Sequence, residues 1–137
     1  MPNNQLFDNT IGLLKKTLDL RLQNQQVIAS NIANANTPGY SPLRLEFEGK
    51  LQQAVKNTTQ KTTATHPNHF SIGTGSVASV QPKVVKAPNK STIGDRNGVS
   101  VDKEMVSLSQ NQILYEATIQ MLNKKLAILK YVAQDGR

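Results

Sequence analysis

Apolar residues concentrate in two long stretches, one at each end of the chain. In residues 5–35 the apolar positions step by four and three, with polar residues at two stations of the same line, Arg21 and Gln25. This spacing is typical of one face of an amphipathic helix. At about 1.5 Å of rise per residue, such a helix is roughly 45 Å long, which exceeds what a small two-layer domain needs. The pattern predicts a long helix that belongs to a bundle or to the wall of a tube.

The second apolar stretch, residues 102–134, repeats with the same steps, and only Gln112 interrupts its apolar line. Asp102 is the predicted N-cap of this helix, because its side chain can accept a bond from a free backbone N–H. Glu104 suits the positive end of the helix dipole. The chain is thus predicted to carry a long amphipathic helix at each end.

These two helices are expected to pair as a coiled coil, antiparallel if they pack within one chain. The predicted seam of the first helix consists of Phe7, Ile11, Leu14, Leu18 and Ile28. The predicted seam of the second helix consists of Met105, Leu108, Tyr115, Ile119, Leu122, Leu126 and Leu129. A lone pair of helices buries too little apolar surface to offset the entropy of ordering it. Neighbouring subunits are therefore expected to cover the outer flanks.

Residues 41–98 have few large apolar side chains and many polar ones. A short helix is predicted over residues 46–55, and short extended pieces at 70–72, 76–80 and 84–85. The Thr-rich tract over 57–65 is too polar to bury the apolar surface that would offset the conformational entropy lost on ordering it. The fold class is mainly α, with a flexible or weakly β middle segment. The chain divides into 1–40, 41–98 and 99–137, and both ends together form one assembly domain.

A turn is predicted where the first helix stops. Pro38 fixes φ near the value that the second position of a type II turn requires, and Gly39 accepts the positive φ of the third. Pro38 also disfavours the helical conformation of Thr37. The helix is expected to end between Asn34 and Asn36.

Asn31 and Asn34 are three residues apart and so share a face of the first helix. Asparagine is a poor helix former, because its amide competes for backbone groups. The two side chains either face water and help to end the helix, or bond across to a neighbouring helix and fix its register. The sequence leaves both interpretations open.

Composition excludes several functions. The chain has no Cys, and its two histidines, His66 and His69, lack the further ligands that a metal site needs. No catalytic, phosphate-binding or cofactor motif is present, so we expect no enzyme activity, no metal and no cofactor. No apolar run spans a membrane, and the N-terminus does not resemble a secretory signal. The net charge of +7 arises mainly in residues 41–98, where lysines are scattered without aromatic neighbours, a pattern unlike a nucleic-acid groove.

Residues 29–40 read ASNIANANTPGY. This run resembles the N-terminal signature of the bacterial flagellar axial proteins, written A-N-N-[LI]-A-N-x-N-T-P-G-Y, with Ser30 where many members carry Asn. Residues 97–105 look like a C-terminal box of the rod proteins. The matching motif, which we take as the candidate assembly motif, consists of Asn31, Ile32, Ala33, Asn34, Asn36, Thr37, Pro38, Gly39 and Tyr40. With the short length, the chain is most similar to a subunit of the proximal rod.

The resemblance implies a structural subunit of the flagellar basal-body rod, the torque-transmitting shaft between the membrane ring and the hook. Its implied partners are other rod subunits in homo- and hetero-oligomeric contacts, the ring or export-gate adaptor, and the flagellar type III export apparatus. Its implied place is the rod in the periplasmic space, reached without a cleaved signal peptide. The alternatives are a sister subunit of the proximal rod and, in a different class, a basic helical adaptor or nucleic-acid-associated protein.

Overall fold

The computed structural model describes residues 5–59, 77–87 and 98–134. In chain order its elements are α1 (Gln5–Ala33), β1 (Leu43–Glu46), α2 (Glu48–Thr59), a 3-10 helix (Val77–Ser79), β2 (Lys83–Lys86) and α3 (Val101–Gln134). Helices dominate the described residues, and the two longest lie at the two ends of the chain. The predicted fold class, mainly α with a weakly β middle, is confirmed.

Helices α1 and α3 pack against each other in antiparallel directions. Asn31 near the end of α1 bonds to Glu104 near the start of α3, and Asn24 bonds to Asn111. Earlier residues of α1 therefore lie opposite later residues of α3. Within the described residues no helix combines the length and hydropathy needed to cross a membrane.

The start of α3 differs from its predicted start by one residue. The helix begins at Val101, and the N–H of Glu104 donates to the carbonyl of Ser100 at 3.0 Å. Ser100 therefore holds the N-cap position that was predicted for Asp102. Asp102 lies inside the first turn, where its charge still favours the positive end of the helix.

The middle segment contains a two-stranded antiparallel sheet, in which Leu43 pairs with Lys86 and Glu46 with Lys83. Strand β2 includes the predicted extended piece at 84–85, whereas β1 was not predicted. Because Glu46 belongs to the sheet, α2 begins at Glu48 and not at residue 46. Residues 77–79 form a 3-10 helix where an extended piece was predicted. The extended piece at 70–72 and most of the polar tract over 57–65 lie outside the described residues.

A small apolar core joins α1 to the middle segment. It consists of Leu20, Phe47, Ala54 and Val80, with Leu45, Leu51 and Val77 packed against it. Leu20 is fully buried. The described part of the middle segment therefore rests on one side of α1, while α3 packs along another.

Candidate assembly interface

The part of the motif that follows α1 forms the predicted type II turn. The N–H of Tyr40 donates to the carbonyl of Thr37 at 3.2 Å, which closes a turn over residues 37–40. Gly39 has φ of 76°, as the third position of a type II turn requires. The helix ends at Ala33, one residue before the predicted range.

Asn31 is the most connected side chain of the motif, and it is 1% exposed. Its Oδ1 accepts from the N–H of Leu43 at 2.8 Å and from the hydroxyl of Tyr40 at 3.2 Å. Its Nδ2 donates to the carbonyl of Leu43 at 2.8 Å and to Oε2 of Glu104 at 3.1 Å. An amide can donate two bonds and accept two, so all four are made. Asn31 thereby ties α1, the start of β1 and α3 together.

Asn34 has the other of the two predicted roles. Its Nδ2 donates to the carbonyl of Ser30 at 2.8 Å, and its Oδ1 accepts from the hydroxyl of Thr37 at 3.4 Å. These bonds are local, and they help to end α1. Each asparagine therefore fits a different one of the two interpretations: Asn31 bonds across to another helix, whereas Asn34 bonds locally and helps to end its own helix.

The other motif residues lie nearer to solvent. Ile32 and Tyr40 are half-buried, whereas Ala33, Asn36, Thr37, Pro38 and Gly39 are exposed. Ala35, which interrupts the set, is buried. The motif thus presents its turn outward and its first asparagine inward.

Glu104, the partner of Asn31 on α3, is a buried carboxylate. From the sequence, only a favourable interaction of its charge with the helix dipole was predicted. Glu104 is 4% exposed, and its Oε1 lies 3.9 Å from Nη2 of Arg44 on β1. Burial of a carboxylate is unfavourable unless hydrogen bonds and an opposite charge compensate. Asn31 and Arg44 provide that compensation from two different elements.

A line of polar side chains runs along the contact between α1 and α3. One heptad from the Asn31–Glu104 bond, Nδ2 of Asn24 donates to Oδ1 of Asn111 at 3.0 Å. Nδ2 of Asn111 also donates to the carbonyl of Arg21 at 2.9 Å. A further heptad along α3 lies Thr118, whose hydroxyl bonds to its own helix. The buried residues of the described α3 are these three polar ones: Glu104, Asn111 and Thr118.

Apolar pairs alternate with this polar line. The two interhelical bonds set the register of the helices. In this register the two members of each of three apolar pairs lie at the same level: Val27 with Leu108, Leu20 with Tyr115, and Leu13 with Leu122. Leu20 is buried and the other members are half-buried. The contact between the helices is therefore built of alternating polar and apolar layers.

Residues of the predicted seam occupy different environments in the chain. Ile28 is buried, and the half-buried members are Ile11, Leu14, Leu18, Leu108, Tyr115, Ile119, Leu122 and Leu129. Met105 and Leu126 are 49% and 47% exposed, and the side chain of Phe7 lies outside the described residues. The seam as a set stays a prediction.

A row of large apolar side chains on α3 is exposed. We call it the outer face of α3, and it consists of Val106, Ile113, Met121, Ile128, Tyr131 and Val132. Leu114 is exposed as well, but it lines a groove next to Arg21 and Asn24 of α1. Ile113 is 66% and Tyr131 is 68% exposed. An exposed apolar surface of this length is typical of a site that another protein covers.

A groove of about 590 Å³ lies between α1, α3 and the segment from β1 to the start of α2. Two of its charged residues form an ion pair, in which Nη2 of Arg21 lies 2.8 Å from Oε1 of Glu48. The guanidinium of Arg21 also lies 5.1 Å from the ring centroid of Phe47. Across residues 5–59, 77–87 and 98–134, no cluster of His, Cys, Asp and Glu could hold a metal ion. His66 and His69 are outside those ranges.

Comparisons with known proteins agree with the resemblance that the motif suggests. The profile of the family "Flagella basal body rod protein" matches residues 16–40. The flagellar basal body rod protein FlgB of Bacillus subtilis (strain 168) is 33% identical over 132 residues, which cover 96% of this chain and 98% of that protein. The FlgB proteins of Salmonella typhimurium and of Escherichia coli (strain K12) are each 28% identical, over 95% of this chain and 96% of their own lengths.

The matched residues include the end of α1, Asn31 and the turn, so similarity and geometry coincide. The chain therefore belongs to the flagellar basal body rod proteins, a class of structural components of the flagellar basal body. Each of the three relatives above is a FlgB, and similarity to them extends over nearly the whole chain. The expected family and the expected subunit of the proximal rod are both confirmed.

Proposed function

We propose that this chain assembles with copies of itself and with other rod subunits through α1 and α3 to build the proximal rod. The observation that carries the proposal is the outer face of α3. Large apolar side chains exposed along most of a helix are unfavourable in water, and a wall of neighbouring helices would remove them from it. Family membership supplies the kind of neighbour, namely other components of the rod.

The contacts are repeating and heterologous in this proposal. A surface on one subunit binds a different surface on the next, so a helical tube grows without closing into a ring. The motif from Asn31 to Tyr40 shapes the end of α1 that neighbours meet. The predicted seam and the outer face of α3 together form the helix-packing surface, and both ends of the chain act as one assembly domain.

The remaining parts of the proposal concern place and partners. The subunit lies in the rod within the periplasmic space, and the flagellar export apparatus delivers it there. At one end of the rod it contacts the ring or export-gate adaptor. Its role is mechanical, transmission of torque to the hook, and involves no turnover of a substrate. Membership of a family of structural rod proteins supports this role.

Substitution on the outer face tests the proposal. Ile113→Asp places a charge on a side chain that is already exposed, so the isolated chain should keep its fold while assembly fails. Leu122→Asp, on the half-buried side, should abolish assembly as well. Asn123→Asp is the matched control, since Asn123 is an exposed polar residue of the same helix outside both the predicted seam and the outer face. Basal bodies purified from strains with each variant as the sole copy, and swimming in soft agar, give the readout.

The expected result is loss of rods and of swimming for Ile113→Asp and Leu122→Asp, with normal protein levels. The Asn123→Asp strain should swim as the parent does. Normal swimming of the Ile113→Asp strain would contradict the proposed role of the outer face.

A further inference from the structure

The contact between α1 and α3 has one defined register, which the apolar layers alone do not explain. Polar residues recur every seven positions on both helices, and so do the apolar ones. If α3 slid by one heptad so that Asn111 lay opposite Asn31, Thr118 would lie opposite Asn24. Polar layers would again meet polar layers, and apolar layers would meet apolar ones. The heptad pattern alone therefore permits more than one register.

A single layer distinguishes these registers. Only the Asn31–Glu104 layer contains a carboxylate, and only there does the side chain from α1 also bond to the backbone of Leu43. Either one-heptad slip breaks the bond from Asn31 and moves Glu104 by about 10 Å relative to α1, away from Arg44. A slip that places Asn111 opposite Asn31 also leaves the carboxylate beyond the end of α1. The other layers would lose little, because equivalent layers replace them.

We propose that Glu104 is the register-determining residue of the pair of terminal helices. Its carboxylate selects one of several heptad-related alignments by pairing with Asn31 and Arg44. The choice matters outside the pair, because the register decides how far the outer face of α3 extends past α1 and the turn. A buried polar residue in a coiled coil fixes register in the same manner. This inference rests on the geometry of the isolated chain and does not depend on assembly.

Moving the carboxylate along α3 provides the test. The double variant Glu104→Asn with Asn111→Glu keeps the composition and shifts the carboxylate by one heptad. The control, Glu116→Asn with Asn123→Glu, makes the same exchange between two exposed positions of α3. Because the chain has no native Cys, spin labels can be attached at Gln26→Cys and Lys130→Cys, both exposed sites on opposite helices.

In the native register the two labelled sites are about 30 Å apart along the helix axes, since 21 residues separate their levels. The buried exchange should shorten this distance by about 10 Å, as the carboxylate introduced at position 111 takes the place opposite Asn31. The control exchange should leave the distance unchanged. Double electron–electron resonance gives the distances, and circular dichroism gives the helix content of the same samples.

Three outcomes would overturn the proposal. An unshifted distance in the buried exchange would show that the carboxylate does not select the register. Loss of helix in the buried exchange would show that Glu104 serves stability at that one position. An equal shift in the control exchange would show that the distance responds to charge on any face of α3.

Discussion

At the scale of single residues, Asn31 shows how one side chain can organise three elements. Its four bonds join it to both backbone groups of Leu43, at the edge of β1, to the carboxylate of Glu104 and to the hydroxyl of Tyr40. Unpaired backbone groups at a strand edge or under a loop are unfavourable, so a side chain that pairs both is strongly constrained. Neither a shorter nor an apolar residue can replace the amide at this position.

Asn31→Ala should destabilise the chain by about 3 kcal/mol, because it leaves buried polar groups of Leu43 and Glu104 without partners. Asn34→Ala is the matched control and should lose no more than about 1 kcal/mol, since its bonds are local. Shifts of the urea midpoint, followed by circular dichroism, measure both. Equal shifts for the two variants would refute the central position of Asn31.

Glycine at position 39 is required by its backbone conformation. Among the described residues, no atom outside Gly39 and its two chain neighbours lies within 4 Å of where a Cβ would stand, but φ is 76°. Gly39→Ala should therefore destabilise by about 1 kcal/mol through backbone strain alone. Gly49→Ala, in α2 and equally open, should instead stabilise by roughly 0.5–1 kcal/mol, because alanine favours helix. A lower thermal midpoint for Gly39→Ala and a higher one for Gly49→Ala would support this account. Shifts of both midpoints in the same direction would contradict it.

At the scale of elements, α1 packs against different neighbours on two of its sides. One side carries the polar and apolar layers that meet α3, and another carries the small core with α2 and the 3-10 helix. Leu20 belongs to both, which explains its complete burial. The link between the middle segment and the helix pair should therefore depend strongly on this one side chain.

Leu20→Ala should destabilise the described fold by about 3 kcal/mol, since it opens a cavity where two contacts meet. Leu22→Ala, on the same helix and 47% exposed, should change stability by less than about 0.5 kcal/mol. Hydrogen exchange followed by mass spectrometry should show faster exchange in α2 for the first variant alone. Unchanged protection of α2 in Leu20→Ala would refute the shared core.

At the scale of the whole molecule, the chain buries polar residues on α3 and exposes apolar ones. An isolated subunit with this distribution has little apolar burial to oppose the entropy of its long helices. An assembled subunit would remove the outer face of α3 from water. The distribution is thus unfavourable for a monomer and suited to a member of a larger array.

We expect the isolated chain to unfold with low cooperativity, with frayed terminal helices in dilute solution. The last turns of α3 should exchange their amide hydrogens fastest, because Ile128, Tyr131 and Val132 are all exposed. Circular dichroism melts at several concentrations, with hydrogen exchange, measure this. A sharp melt with full helix content in a dilute monomer would contradict it.

What the sequence determined by itself was local or periodic. The turn at Pro38 and Gly39 follows from backbone sterics, and the two long helices follow from the spacing of apolar residues. The resemblance of residues 29–40 was enough to predict the family. The sequence also contains the polar heptads of Asn24, Asn31, Glu104 and Asn111, but these residues do not contribute to the apolar periodicity that predicts a helix.

Only the tertiary structure decided which face of each helix turns inward. A helix with apolar residues on several sides can pack through any of them, and the choice depends on which partners reach it. Strand β1 likewise depended on a distant partner, β2, and on Asn31 at its edge. The role of Glu104 was hidden for the same reason: its two partners lie 60 and 73 residues away in sequence. Contacts at such separations are set by the packing of the whole chain, and local sequence does not encode them.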